Sequence, residues 1–358
     1  MAFRKKPLQL NYIINTFLFA YFIEPICRSY ANVLKKSNFK FRYKLYDFIY
    51  CFLIYLHTIE LLVMKLSLSY YITLLVIKLK GIKKKFSKDP IDFKKIRKED
   101  IHHPKDVFFR KNNVHRFTIL KTKITEINQN EATNKLLLYI HGGAFISGPA
   151  KHHWDTIKEI VKQTNHIVWM CDYPKAPENK IQEISENIDL VYKTALEKYS
   201  SKQIILIGDS VGGTLITALI QRLIEDNNKL PHKIILVSPV MDATMSNPQI
   251  DKIEAIDPML SKNGVLSAKR MCAENNDLKN TMLSPINGSF DGFPNTILFL
   301  AENDITYPDQ KIVVQKLIDA KNTIEVIEGK KMPHIWPLLP VMKEAKMALK
   351  QIITHLNN

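Results

Sequence analysis

The sequence predicts an α/β fold: a mostly parallel central sheet with helices on both faces, preceded by a helical N-terminal cap. Three observations carry this expectation. Short, continuous apolar runs alternate with helical patterning from residue 135 onward, the pattern of strands buried on both faces. The run at 203–207 leads through Gly208-Asp209-Ser210-Val211-Gly212-Gly213 directly into a helical stretch. Residues 1–80 differ in composition from everything after them, being basic and apolar at once.

The elements follow in order. Residues 115–127 alternate in polarity and read as exposed antiparallel strands. A buried strand at 135–140 comes next, then helical patterning over 152–164, a strand at 166–171 and a helix over 182–199. The 203–207 strand enters a helix running to Glu225, and another buried strand at 233–237 ends in Ser238-Pro239. Residues 242–292 break the alternation; they are polar, Met-rich and Pro-containing, and read as a lid inserted in the sheet. Strands at 296–300 and 323–327, with a helix over 308–320 between them, complete the pattern.

Two loops carry chemistry. A strand that reverses sharply into a helix forces its turn residue into a strained backbone, and flanking glycines remove the Cβ atoms that would clash. Ser210 sits at such a turn, its side chain raised above the sheet with a helix N-terminus behind it. Its catalytic reading is that of a nucleophile; the alternative is a plain turn. About 70 residues upstream, the 135–140 strand ends in His141-Gly142-Gly143-Ala144. Loops of this kind offer backbone N–H groups to a developing oxyanion. Gly142, Gly143, Ala144 and, from the elbow, Val211 are the candidates here. Ala at the third position keeps its N–H and is tolerable provided its φ is negative.

His141-Gly142-Gly143-Ala144, Asp172-Tyr173-Pro174-Lys175-Ala176-Pro177-Glu178 and the 208–213 motif, in this order, resemble the hormone-sensitive-lipase-like branch of the α/β-hydrolase fold. That family carries HGGG, DYRLAPE and GDSAGG at similar spacing. The resemblance spans about residues 107–356, with departures at Ala144, Val211 and Pro174-Lys175. It implies an α/β-hydrolase domain over 107–358 that cleaves carboxylic esters of short or medium acyl chains by a Ser-His-Asp triad. An amidase or deacetylase of the same fold is the nearest alternative. A catalytically inactive ligand-binding protein or membrane scaffold is another. The resemblance implies Ser, acid, His order along the chain. Asp304 matches the first Asp of the family's Asp-Pro-Leu-x-Asp pattern; Glu302 is a weaker alternative, Asp309 falls one position late, and Asp304 could instead cap the following helix. The base is expected on the loop after the last strand. His334 lies there; His232 precedes a strand at its N-terminal end and His355 lies in the terminal helix. Trp336 is expected to line the acyl or alcohol pocket.

Composition bounds the rest. Among 358 residues, Cys27, Cys51, Cys171 and Cys272 have no paired or metal spacing, which points to reduced thiols. His102-His103 and His152-His153 have no carboxylate or Cys at ligand spacing, so no metal and no cofactor is expected. Residues 1–100 hold 20 Lys+Arg against 7 Asp+Glu, a net +13, and the other 258 hold 31 against 28, a net +3. The basicity belongs to the N-terminal region, and no nucleic-acid motif accompanies it. Two apolar stretches, 8–26 and 46–77, lie among its basic clusters, with 81–106 as a charged, Pro-punctuated linker. Glu60 and Lys65 interrupt the second stretch, and two spans would place a basic cluster on the wrong side. No small-residue cleavage site follows the first stretch, which argues against a signal peptide. Three readings of residues 1–80 stay open: an amphipathic cap over the active site, as in the resembling family, interfacial attachment to a membrane, and a true span. The expected partner is a small ester, with no nucleic acid. The expected location is cytoplasmic, with attachment to the inner membrane face compatible with it.

Overall fold

The structure, a computed structural model, describes residues 66–111, 113–129 and 133–358. The first apolar stretch, and the second as far as residue 65, lie outside the described residues, as does the greater part of the expected cap.

Among the described residues eight strands form one sheet: β1 (Asn113–Ile119), β2 (Thr122–Asn128), β3 (Leu136–Ile140), β4 (Ile167–Asp172), β5 (Ile204–Asp209), β6 (Lys233–Val237), β7 (Asn295–Asn303) and β8 (Ile324–Pro333). Their spatial order is β1-β2-β4-β3-β5-β6-β7-β8. β2 pairs antiparallel with β1 and β4, and every other pairing is parallel. β3, β5 and β6 are buried along their whole length, which is why they read as unbroken apolar runs. The 115–127 region departs from its expected exposure. β2 has a neighbour on each side, so of these two strands only β1 is an edge, and Ile124 and Ile127 are fully buried in the cores on opposite faces of the sheet.

Among the described residues seven longer helices cover the sheet: α1 (Leu68–Leu79), α2 (Lys151–Gln163), α3 (Ile181–Lys198), α4 (Val211–Glu225), α5 (Lys262–Cys272), α6 (Tyr307–Asp319) and α7 (Lys343–Asn357). Successive strand residues point to opposite faces. Leu136, Leu138, Leu206 and Leu236 therefore pack with α3, α4 and α6, whereas Leu137, Tyr139, Ile205 and Ile235 pack with α2 and α7. In α3 the apolar positions Ile181, Ile184, Ile188, Val191 and Ala195 recur at helical spacing and are all buried. Truncating one core leucine, such as Leu138→Ala, would cost about 2–5 kcal/mol.

The region between β6 and β7 holds α5 and two short helical turns, Ile250–Glu254 and Pro285–Asn287. Residues 81–106, expected as a linker, fold as short helical turns docked on the body, with Ile91 and Ile96 buried. Arg97 Nε donates to Ile146 O at 2.6 Å, its Nη2 donates to Ala176 O at 2.6 Å, and the guanidinium pairs with Glu178. Gly148 N donates to Asp100 Oδ1 at 2.7 Å, and Trp154 Nε1 to Ile101 O at 2.6 Å. The segment thus straps the loop between β3 and α2. No helix among the described residues is long and apolar enough to cross a membrane.

Candidate active site

Ser210 joins the end of β5 to the start of α4 with φ 52° and ψ −122°. That positive φ in a non-glycine residue is the strain expected of a sharp strand-to-helix reversal. Main-chain bonds hold it: Ser210 N donates to Val237 O at 2.9 Å, and Gly213 N donates to Ser210 O at 3.0 Å. Gly212 is obligatory, since a Cβ there would lie 2.0 Å from Ile140 O. The close approach brings α4 against the end of β3 and thus against the 141–148 loop.

That loop departs from the expectation in two ways. Gly143 has φ 126°, followed by Ala144 at 56° and Phe145 at 65°. Ala144 is therefore left-handed, contrary to the negative φ set as the condition for Ala there. The N–H groups of Ile146 and Ser147 both close onto Gly143 O at 3.0 Å, a tight turn that holds Ala144 left-handed. The sign of φ does not remove its N–H. Second, the N–H of Gly142 is not directed to an oxyanion. It donates to Asp209 Oδ1 at 3.1 Å, because a buried carboxylate needs donors. Among the described residues, the N–H groups of Gly143, Ala144 and Val211 donate to no protein acceptor.

Asp209, one residue before Ser210, is a buried hub. Its Oδ1 also accepts from Tyr139 Oη at 3.4 Å, and its Oδ2 faces His153 Nε2 at 3.3 Å. Burial alone would raise its carboxyl; the facing His153 and the Gly142 N–H bring it down to about 2. His152, His153 and Asp209 have ligand atoms within 4.8 Å of one another. His153 Nδ1, however, accepts the Ala150 N–H at 2.8 Å. Its proton must then sit on Nε2, donated to Asp209, which leaves that nitrogen no lone pair for a cation. Burial pushes His152 down to about 3.

Asp304 follows β7 and His334 follows β8, and both are buried. His334 Nδ1 and Asp304 Oδ2 are 2.6 Å apart. Asp304 Oδ1 accepts from Thr306 N at 2.9 Å and Thr306 Oγ1 at 2.8 Å. The two oxygens thus divide the roles of imidazole partner and turn cap. Burial alone would lower the His334 imidazole, but the Asp304 charge and hydrogen bond outweigh it and hold it above its ordinary value. Neither alternative acid faces the ring. Glu302 accepts from Lys331 N at 2.7 Å, and Asp309 from Asn247 Nδ2 at 2.9 Å. Ser210 Oγ forms no hydrogen bond among the described residues, His334 included; catalytic contacts of this kind commonly tighten only around substrate. Trp336, expected in a pocket wall, donates Nε1–H to Leu300 O at 3.0 Å and packs on Phe299. It ties the His334 loop to β7.

Two residues escaped the sequence reading. Asp257, in the inserted region, is buried and accepts from Met259 N at 2.7 Å, Leu260 N at 2.9 Å and Ile305 N at 2.9 Å. Burial and the Asp304 charge raise its carboxyl well above the ordinary range. The Asp257-Pro258 dipeptide is a turn signal that marks the position. Lys269 of α5 is buried with its Nζ unpartnered among the described residues, 4.3 Å from the centre of the Phe145 ring. Burial pushes it down to about 7; nothing in α5's pattern signals this.

Known proteins resemble this chain in sequence and fold. Residues 137–338 match the family described as alpha/beta hydrolase fold. An esterase of Acinetobacter venetianus is 29% identical over 235 residues, 63% of this chain and 76% of the relative. An esterase of Mycobacterium tuberculosis is 25% identical over 62% of this chain and 77% of its own. A solved structure from Staphylococcus aureus aligns with TM-score 0.70 at 29% identity, covering 75% of this chain and 92% of that one. An esterase of the bacterial hormone-sensitive lipase family aligns with TM-score 0.70 at 22% identity, over 82% and 99%.

Proposed function

The chain belongs to the alpha/beta hydrolase fold family, and from that premise we propose that it is a serine carboxylesterase of the hormone-sensitive-lipase-like branch acting through Ser210, His334 and Asp304. The observation that carries the reading is the His334–Asp304 bond at 2.6 Å. With Nδ1–H donated to the carboxylate, the neutral ring keeps its lone pair on Nε2, the atom that must take the serine proton.

In this reading Ser210 Oγ attacks the ester carbonyl carbon while His334 Nε2 takes its proton. The carbonyl oxygen becomes an oxyanion held by the N–H groups of Gly143, Ala144 and Val211. Each such donor contributes about 3–4 kcal/mol of transition-state stabilisation in comparable sites. Collapse breaks the carbon–oxygen bond to the alcohol, which leaves with the proton from His334. Water then repeats the sequence against the acyl-enzyme and regenerates Ser210. Short or medium acyl esters are the proposed substrates.

The test is hydrolysis of p-nitrophenyl esters from acetate to palmitate, by wild type and by Ser210→Ala. Activity on the shorter esters, lost in the variant together with organophosphonate labelling, supports the reading. Labelling that survives Ser210→Ala overturns it. We further propose that the enzyme works on the cytoplasmic side of a membrane, touching its inner face through the basic N-terminal region, whose net charge over residues 1–100 is +13.

A further inference from the structure

Helix α1 is apolar on both sides. Its inner face, Tyr70, Thr73 and Ile77, is buried. Polar bonds fix that face to the body. Ser67 N and Oγ each donate to Glu344 at 2.7 Å, Lys343 N donates to Ser69 Oγ at 2.9 Å, and Tyr70 Oη donates to Lys331 O at 2.9 Å. The opposite face carries Leu68, Tyr71, Ile72, Leu75, Val76 and Leu79, of which Leu68 is 63% and Leu79 77% exposed. At about 100° per residue these six span about 140° of the circumference, directly opposite the buried face. A helix lying on a protein normally turns a polar face outward, and a contiguous apolar stripe marks a contact surface.

The charge around the stripe says which contact. On the same helical wheel Lys78 and Lys80 lie at its two edges, and both are exposed. Residues 66–88 contain six Lys and no Asp or Glu. Lys78, Lys80, Lys84 and Lys88 form no ion pair among the described residues, whereas Lys83 donates to Asp257 O and Lys85 pairs with Glu99. An apolar stripe edged by lysines is the layout of a helix lying in the plane of a bilayer interface, where long side chains reach back to the headgroups. Like charge disfavours the other occupants. A second copy would bring the same lysines together, and residues 1–65 hold 10 Lys+Arg against 3 Asp+Glu.

We propose that the outer face of α1 is a docking surface for an anionic lipid bilayer, with Leu68, Ile72, Leu75 and Leu79 entering the interface and Lys78 and Lys80 meeting the headgroups. This rests on the membrane contact proposed above and not on the assignment of the triad. The bond from Tyr70 to Lys331, three residues before His334, ties the docked helix to the loop that carries the base.

The test is flotation of the full chain with phosphatidylcholine vesicles, with and without phosphatidylserine. The wild type is expected to float with the anionic vesicles and to lose binding as salt rises. Leu75→Gln/Leu79→Gln should weaken partition at least about tenfold. Lys78→Gln/Lys80→Gln should weaken it about fivefold per charge at low salt. All four positions are exposed, so the melting temperature should not move. Residues 1–65 could bind lipid themselves, so a local readout is needed. Leu79→Cys, placed in a chain with Cys27→Ser and Cys51→Ser, leaves the buried Cys171 and Cys272 and takes an environment-sensitive fluorophore. Its emission should shift to the blue with anionic vesicles only. Unchanged partition in both double variants overturns the proposal. So does a blue-shifted fluorophore in the absence of vesicles, which would mean that the chain itself or a second copy covers the stripe.

Discussion

Asp257 Oδ2 accepts the main-chain N–H of Ile305, the residue directly after Asp304, at 2.9 Å. A carboxylate in the inserted region thus holds the loop that carries the candidate acid, and adds a second negative charge near His334.

Asp257 should act through scaffold and charge separately. Asp257→Asn keeps an acceptor oxygen for the Ile305 N–H but removes the charge that helps to raise His334. The ascending limb of the kcat/KM–pH profile should move to lower pH by less than about one unit, with kcat near wild type. Asp257→Ala removes the acceptor as well, and kcat should fall about tenfold or more as the loop loosens. Profiles identical to wild type in both variants would show that Asp257 has no hold on the site.

In the proposed mechanism the raised His334 sets the acid limit of activity. Catalysis needs the neutral ring, so kcat/KM should rise with pH through an apparent pKa above the ordinary histidine value, for the reason that the Asp304 charge overcomes burial. Asp304→Asn should move that limb down and cut kcat by about 10⁴, because the amide no longer selects the Nδ1–H tautomer. Steady-state kinetics across pH on a p-nitrophenyl ester checks both parts. A fall under about tenfold would return the acid role to another carboxylate.

The left-handed Ala144 predicts a stabilising change. Glycine adopts its φ of 56° without the steric penalty on a Cβ, so Ala144→Gly should stabilise the protein by about 1 kcal/mol. Activity should persist, since the N–H remains. Chemical denaturation of the two proteins in parallel measures the difference.

Lys269 should destabilise the protein in a pH-dependent way. Its folded-state value of about 7 lies below that of a free lysine, 10.5. Between these limits the folded amine is neutral while the unfolded one is charged, so the destabilisation is largest below pH 7 and is relieved as pH rises toward 10.5. Lys269→Met keeps the shape and removes the amine. Its stability gain should be about 3 kcal/mol greater at pH 6 than near pH 9.5. A gain independent of pH would mean that the amine finds a partner when charged.

The sheet was legible because β3, β5 and β6 are buried on both faces and leave unbroken apolar runs. Ser210 could be singled out because Gly-x-Ser-x-Gly lies between a strand and a helix, and Asp304 and His334 because the family resemblance implies an acid and then a His after the last strands. What stayed hidden depends on direction rather than identity. Gly142 and Gly143 look alike in sequence, yet one N–H turns inward to Asp209 and the other does not. The interior place of β2 comes from pairing with β4, about 45 residues away along the chain, and its Ile124 and Ile127 are buried in the cores on the two faces. Residues 81–106 look like a linker by composition, but Arg97 and Asp100 find acceptors and donors in the 146–148 loop only after the chain has folded. Asp257 and Lys269 sit in the inserted region, where no periodicity indicates what is inside.

The bond between Asp209 and Gly142 joins two of the loops that make up the candidate site. The strand end that presents Ser210 also grips the loop of Gly143 and Ala144, so the proposed nucleophile and the proposed oxyanion donors are tied to one another. Asp304 and His334 form another piece, carried on β7 and β8 and joined by their own bond. No side-chain hydrogen bond from Ser210 spans the two. In the proposed reaction a bound ester touches both and completes the assembly.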